Sequence, residues 1–134
     1  MTSVTKTVKF DAAHILTDHA GLCKNLHGHT YRVEVTVEGE GEMIIDFKEL
    51  KKIITEKILD RFDHSFIYNT TSAGECEIAA VVEKQSMRTV PIPFRTTVEN
   101  LSTHFFKLLK PSLPGLSAVR IWETADNSAT ATAG

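Results

Sequence analysis

From His27 to Glu38 the chain alternates. His27, His29, Tyr31, Val33, Val35 and Val37 share one parity; Thr30, Arg32, Glu34, Thr36 and Glu38 take the other. A period of two marks a β-strand with one buried face, and a helix cannot gather those residues on one stripe. Residues 4–14 repeat the pattern, with Val4, Val8, Phe10, Ala12 and His14 set against Thr5, Thr7, Lys9 and Asp11. Strands with one apolar and one polar face imply an antiparallel sheet covered on one side.

The cover comes from later segments. Residues 15–26 read as a loop, Gly39–Glu42 as a turn and Met43–Ile45 as a short returning strand. Asp46 caps a helix, with Glu49 as its capping-box partner and Phe47, Leu50, Ile53, Ile54 and Ile58 as its buried stripe. Asp60–Asn69 reads as a loop or short extended segment. A second helix is expected over Glu75–Gln85 with Ile78, Val81 and Val82 inward. Thr89–Phe94, with two prolines, suits an edge strand. A third helix runs from about Thr97 to Leu109, with Val98, Leu101, Phe105, Leu108 and Leu109 inward, and Pro111 and Pro114 end it. Ala118–Thr124 alternates again. The tail after Asp126 either hairpins back as an edge strand or stays loose. The expected class is α+β.

A chain of 134 residues suits one domain, taken as residues 1–134. Fifteen basic against seventeen acidic residues leave a net charge of -2, which is no nucleic-acid footprint. The apolar runs are too short to span a membrane, and residues 1–10 lack a signal-peptide pattern, so a cytoplasmic protein is expected. Its two cysteines, Cys23 and Cys76, are expected to be thiols, Cys76 as a small buried group.

All three histidines of the alternating segments lie on the apolar parity. Residues i and i+2 of a strand point the same way, so His27 and His29 aim both imidazoles into one space, and His14 adds a third from a neighbouring strand. A lone histidine on such a face is more often a hydrogen-bonded core residue; three together point to a metal. Three imidazoles suit zinc, though copper, nickel or iron also bind them. Three protein ligands leave a fourth position for water or substrate, the pattern of catalytic zinc.

Other residues leave alternatives open. Cys23 reads as a fourth zinc ligand, as a free thiolate acting as a base, or as an inert loop thiol. Asp63-His64 reads as a carboxylate fixing an imidazole for proton transfer, or as a turn with a solvated histidine. Thr96 to Glu99 reads as a capping box with Thr96 as the cap, or as hydroxyls and amides facing a ligand. Glu123 is in phase with Val119 and Ile121, so it lies past the core edge or meets a positive or donor-rich partner. His19 and His104 read as surface or helix-face residues.

Phe10-Asp11-Ala12-Ala13-His14, Cys23-Lys24-Asn25-Leu26-His27-Gly28-His29, Ile44-Ile45-Asp46-Phe47, Asp63-His64, Thr97-Val98-Glu99-Asn100 and Trp122-Glu123-Thr124 occur here in order. This set resembles the 6-pyruvoyltetrahydropterin synthase family over residues 8 to about 125. The step from Cys23 to His27 is similar to that of its bacterial branch, the 6-carboxy-5,6,7,8-tetrahydropterin synthases of queuosine biosynthesis.

The resemblance implies a tunnelling fold: an antiparallel sheet with helices on one face, joined into barrels in a hexamer, a dimer of trimers. It implies zinc on His14, His27 and His29, and Cys23 as the proton-abstracting base. Asp63 and His64 act with Cys23 across a subunit interface. Glu123 anchors the pterin, with Thr97 and Glu99 nearby. The implied substrate is 7,8-dihydroneopterin triphosphate. The carboxy branch releases acetaldehyde and triphosphate; the alternative product is 6-pyruvoyltetrahydropterin, and a more distant alternative is a non-catalytic zinc module. Lys24, Arg88, Arg95 and Arg120 are the cations available to the triphosphate. The chain departs from compact bacterial members in a longer Thr70–Phe94 segment, and in Thr96 where many carry proline.

Overall fold

The computed structural model describes residues 1–134. The alternating segments form β1 (Thr2–His14) and β2 (His27–Gly39). They pair antiparallel along their whole length, from Thr2 opposite Gly39 to His14 opposite His27. β5 (Leu116–Trp122) adds antiparallel to β2, and β6 (Ser128–Thr132) adds antiparallel to β5, so the small polar tail forms the edge strand.

On the other flank the sheet is parallel. β3 (Ser65–Asn69) lies beside β1 through Ala12–Ser65 and Ala13–Phe66, and β4 (Thr89–Ile92) lies beside β3. The order is β4-β3-β1-β2-β5-β6. The antiparallel part is the one the alternation implied; the parallel flank makes the whole sheet mixed. β3 shows no alternation because both its faces are covered. Ile67 joins the main core, whereas Phe66 packs with Ile15 and Ala79 on the other side. No strand forms at Met43–Ile45, which bends directly into the helix.

That helix is one continuous rod: α1 (Phe47–Ile54), a π turn (Thr55–Leu59) and α2 (Asp60–Phe62). Asp46 caps it, its carboxylate accepting from the Lys48 amide at 2.9 Å. Phe47 is half exposed, and the fully buried stripe is Leu50, Ile54, Ile58 and Phe62. Residues four apart drift by about 40° per step around an α-helix. The wider π turn takes part of that drift back, so four evenly spaced side chains all reach the core. α4 (Val98–Leu109) buries Leu101, Phe105 and Leu109 beside them. Phe10 is the hub: its ring lies 5.0 Å from Tyr31, 6.3 Å from Phe62 and 5.9 Å from Phe105, centroid to centroid. Truncating such a ring to alanine costs about 3–5 kcal/mol.

α3 (Ala73–Lys84) covers the side of β3 that carries Phe66. Glu75 and Ala79 are buried and Val82 is partly so, while Ile78 and Val81 point outward. This reverses the expectation for Ile78 and Val81; apolar residues run almost unbroken from Ile78 to Val82, so no stripe was defined. Cys76 is half exposed rather than buried, with its Sγ 3.5 Å from the Thr70 carbonyl oxygen. No helix is long and apolar enough to cross a membrane.

Candidate metal centre and active site

The β1–β2 register places His14 opposite His27, and Ala12 opposite His29. All three imidazoles therefore share one face at one end of the hairpin. Their ring centroids lie 4.6 Å (His14–His27), 4.9 Å (His27–His29) and 5.2 Å (His14–His29) apart. Gly28 separates the last two; a Cβ there would stand 3.2 Å from the Ala12 carbonyl oxygen, so glycine lets the strands approach closely.

Two of the three outer nitrogens have their environment set. His14 Nδ1 lies 2.9 Å from the Thr96 carbonyl oxygen, and His27 Nδ1 lies 2.7 Å from that of Asn25. A carbonyl only accepts, so both Nδ1 atoms carry the proton and both Nε2 atoms are left with a lone pair. The Nε2 atoms of His14, His27 and His29 are buried and form no hydrogen bond. Glu123, one residue past β5, brings Oε1 to 3.3 Å from His14 Nε2 and 3.1 Å from His29 Nε2. The donor atoms of these four residues all lie within 4.8 Å of one another. Lone pairs and a carboxylate oxygen converging in this way need a proton or a cation between them. The set fits a divalent cation on imidazole nitrogens, with backbone carbonyls as the orienting outer partners that such sites carry.

Electrostatics agree. Burial pushes the His29 imidazole below its ordinary value, with the Glu123 charge opposing and the other two imidazoles adding. The adjacent His14 imidazole holds the Glu123 carboxyl below the usual range, against the effect of burial. Tyr31 lies beneath the cluster, its ring centroid 5.5 Å from His29. Its hydroxyl is fully buried without a partner, and burial raises its pKa strongly.

Glu123 thus faces the imidazoles themselves. Cys23 sits half buried in a single helical turn (Leu22–Lys24) of the β1–β2 loop and is not among the converging groups. Asp63 and His64 form a separate cluster with Asp11. Asp63 Oδ1 accepts from the Asp11 amide at 3.0 Å and lies 3.0 Å from His64 Nδ1. The His64 amide donates to the Asp11 carbonyl, and Arg88 donates to the Asp63 carbonyl at 2.7 Å. The Asp11 carboxylate accepts from the Thr30 hydroxyl on the sheet face opposite the histidines. Within one chain the dyad hydrogen-bonds the β1 backbone at Asp11, and neither residue is among the groups that converge with the imidazoles. His64 has φ of 60°, a left-handed conformation rare outside glycine.

The N-cap of α4 is Thr97, not Thr96: its hydroxyl accepts from the Asn100 amide at 3.2 Å. Thr96 is buried and serves His14 instead. Glu99 is exposed in the first turn of α4. His19 Nδ1 accepts from the Gly21 amide at 2.8 Å, and His104 is packed between Phe62, Phe94 and Phe105. The roles of Thr96 and Asn25 carry no local signal in the sequence, since Thr96 reaches His14 across 82 residues. Tyr31 shares the parity of His29, which did point to it.

Fold and donor set together describe a mixed sheet that carries, at one end, three imidazoles beside a carboxylate, a group that could hold a metal ion. A family model described as 6-pyruvoyl tetrahydropterin synthase matches residues 3–133, and the chain belongs to that family of enzymes. It is 41% identical over 132 residues to a 6-carboxy-5,6,7,8-tetrahydropterin synthase of Haemophilus influenzae, covering 92% of this chain and 94% of the relative. It is 35% identical to a 6-pyruvoyl tetrahydrobiopterin synthase of Dictyostelium discoideum, over 80% of this chain and 70% of that one. The solved 6-pyruvoyl tetrahydropterin synthase of Caenorhabditis elegans superposes with a TM-score of 0.73 at 26% identity, covering 99% of this chain and 96% of that one.

Proposed function

We propose that the chain is a zinc-dependent lyase that converts 7,8-dihydroneopterin triphosphate to 6-carboxy-5,6,7,8-tetrahydropterin, releasing acetaldehyde and triphosphate, in queuosine biosynthesis. The observation that carries this reading is the convergence of three unpaired imidazole nitrogens and one carboxylate in a chain 41% identical to a relative of that name. His14, His27 and His29 would hold the ion. Zinc bound there supplies Lewis acidity to the oxygens of the substrate side chain.

The chain's own residues do the rest. Cys23 takes a proton from a side-chain carbon next to a hydroxyl, acting as thiolate base. Asp63 holds His64 in one tautomer so that the imidazole moves protons to and from that thiol. The dyad is not among the groups that converge with the imidazoles, so in this reading the pair serves a neighbouring subunit's site in a homo-oligomer, a hexamer. Glu123, beside the imidazoles, would grip the amino-pyrimidine edge of the pterin. Thr97 and Glu99, at the start of α4, would contact the pterin beside Glu123.

A second reading keeps the same residues and changes the product to 6-pyruvoyltetrahydropterin; the similarity to the Dictyostelium relative favours it. Incubating the zinc-loaded protein with 7,8-dihydroneopterin triphosphate and weighing the products separates the two. A carboxytetrahydropterin with acetaldehyde supports the first, a pyruvoyl product supports the second, and no conversion overturns both.

A further inference from the structure

α3 meets the loop between β1 and β2 at two points. Ile15, the first residue after β1, packs with Phe66 and Ala79. Two residues on, the Thr17 hydroxyl donates to Glu75 Oε2, and Glu75 Oε1 accepts from the Asn69 amide at 3.1 Å. Glu75 is only 2% exposed, and no cationic side chain forms an ion pair with it. A carboxylate buried in that way is unfavourable unless its oxygens are hydrogen-bonded. The helix does not need it: Ser72 already caps α3, accepting from the Glu75 amide at 3.3 Å. What the Glu75 side chain adds is a hold on Thr17 and on the Asn69 amide at the end of β3.

That hold leads to the backbone of Cys23. Leu16, next to Thr17, donates its amide to the Cys23 carbonyl oxygen at 2.9 Å. From Glu75 to Cys23 the path is one hydrogen bond, one peptide link and one hydrogen bond. Asp18 follows Thr17 with φ of 69°, a left-handed conformation that persists only where its surroundings fix it.

We propose that Glu75 is a positioning residue for Cys23, and that α3, in the longer Thr70–Phe94 segment, is the platform on which the cysteine loop rests. The inference depends on Cys23 being the base in the reaction proposed above. A base must sit within hydrogen-bond reach of the proton it removes, and a misplacement of about 1 Å lowers turnover about a hundredfold.

The test uses the zinc-loaded full chain and three variants. Thr17→Val keeps the shape and removes the hydroxyl, Glu75→Ala removes the acceptor, and Glu75→Gln keeps an acceptor oxygen. Cys23 alkylation by iodoacetamide is followed by peptide mass mapping, with Cys76 recorded separately, alongside kcat, KM, bound zinc and Tm. Thr17→Val and Glu75→Ala are expected to speed Cys23 alkylation several-fold and to lower kcat about tenfold, leaving KM and bound zinc nearly unchanged. Glu75→Gln should restore most of kcat. Unchanged alkylation and kcat in Thr17→Val would overturn the proposal, as would a loss of kcat that tracks only the folded fraction. If the wild type fails to turn over the pterin, the reaction proposed above falls. The alkylation rates still decide whether Glu75 holds the cysteine loop.

Discussion

The Thr96 carbonyl oxygen lies 2.9 Å from His14 Nδ1, and the Thr96 hydroxyl lies 3.1 Å from the same nitrogen. The carbonyl fixes the tautomer, and the hydroxyl, which also reaches the Ile15 carbonyl at 3.3 Å, braces the ring's approach. Thr96→Val keeps the carbonyl and removes the brace. Zinc affinity should fall about tenfold, at the low end for an outer partner of a ligand. Competition against a chromophoric chelator measures it; an unchanged affinity would assign the orientation to the carbonyl alone.

Glu123 is within reach of both the ion and anything bound to it. Three imidazoles suffice to hold zinc, so Glu123→Gln should leave zinc affinity within about tenfold of wild type while raising KM for the pterin by about a hundredfold, the scale of a lost charge-assisted pair. A fall in affinity as large as that of His29→Ala, with KM unmoved, would make the carboxylate a ligand instead.

The dyad and the thiol are assigned to different chains, which predicts complementation. Cys23→Ala and His64→Ala should each be inactive alone. Unfolded together and refolded as mixed oligomers, they should regain activity in about a quarter of the sites, since random assembly pairs two intact halves that often. A mixture as inactive as its parents would place thiol and imidazole on one chain.

Tyr31 buries a hydroxyl with no partner. Such a group is unfavourable by about 1–3 kcal/mol. Tyr31→Phe should therefore raise the stability of the metal-free protein by about 1 kcal/mol, read as an increase in Tm. A lower Tm would mean that the hydroxyl has a partner in solution.

His104 supplies a pH dependence away from the metal centre. Burial among Phe62, Phe94 and Phe105 lowers its pKa, and the Arg61 and Lys107 charges add to this. The unfolded chain takes up a proton near the ordinary value of about 6.5, while the folded chain does so at lower pH. The unfolded state therefore binds more protons in between, and stability rises with pH across that window. His104→Leu should flatten the change in Tm between about pH 5 and pH 7. A slope equal to the wild type's would assign that dependence to other groups.

Much of this was legible wherever the environment was one-sided. β1, β2 and β5 each bury one face, so their periods named the strands and the parity of His14, His27, His29 and Glu123. β3 is covered on both faces and α3 carries a nearly unbroken apolar run, so neither had a period to read. The split between the Asp63-His64 dyad and the imidazoles depends on the path of the chain around the sheet edge, which no local pattern encodes. Thr96 was mistaken for a cap because both threonines suit that position; only the fold shows Thr97 at the helix and Thr96 against His14.

The π turn at Thr55–Leu59 has a consequence for chain length. Removing one of Thr55, Glu56 or Lys57 would let the rod relax to ordinary α-helix, with the stripe then spaced four, three and four, the natural step of such a helix. Phe62, Asp63 and His64 would stay where they are. A deletion within Phe47–Ile54 has no wide turn to absorb it and would carry everything downstream round by about 100°. The wide turn is thus the point in this helix where a lineage can gain or lose a codon without disturbing the residues the helix delivers.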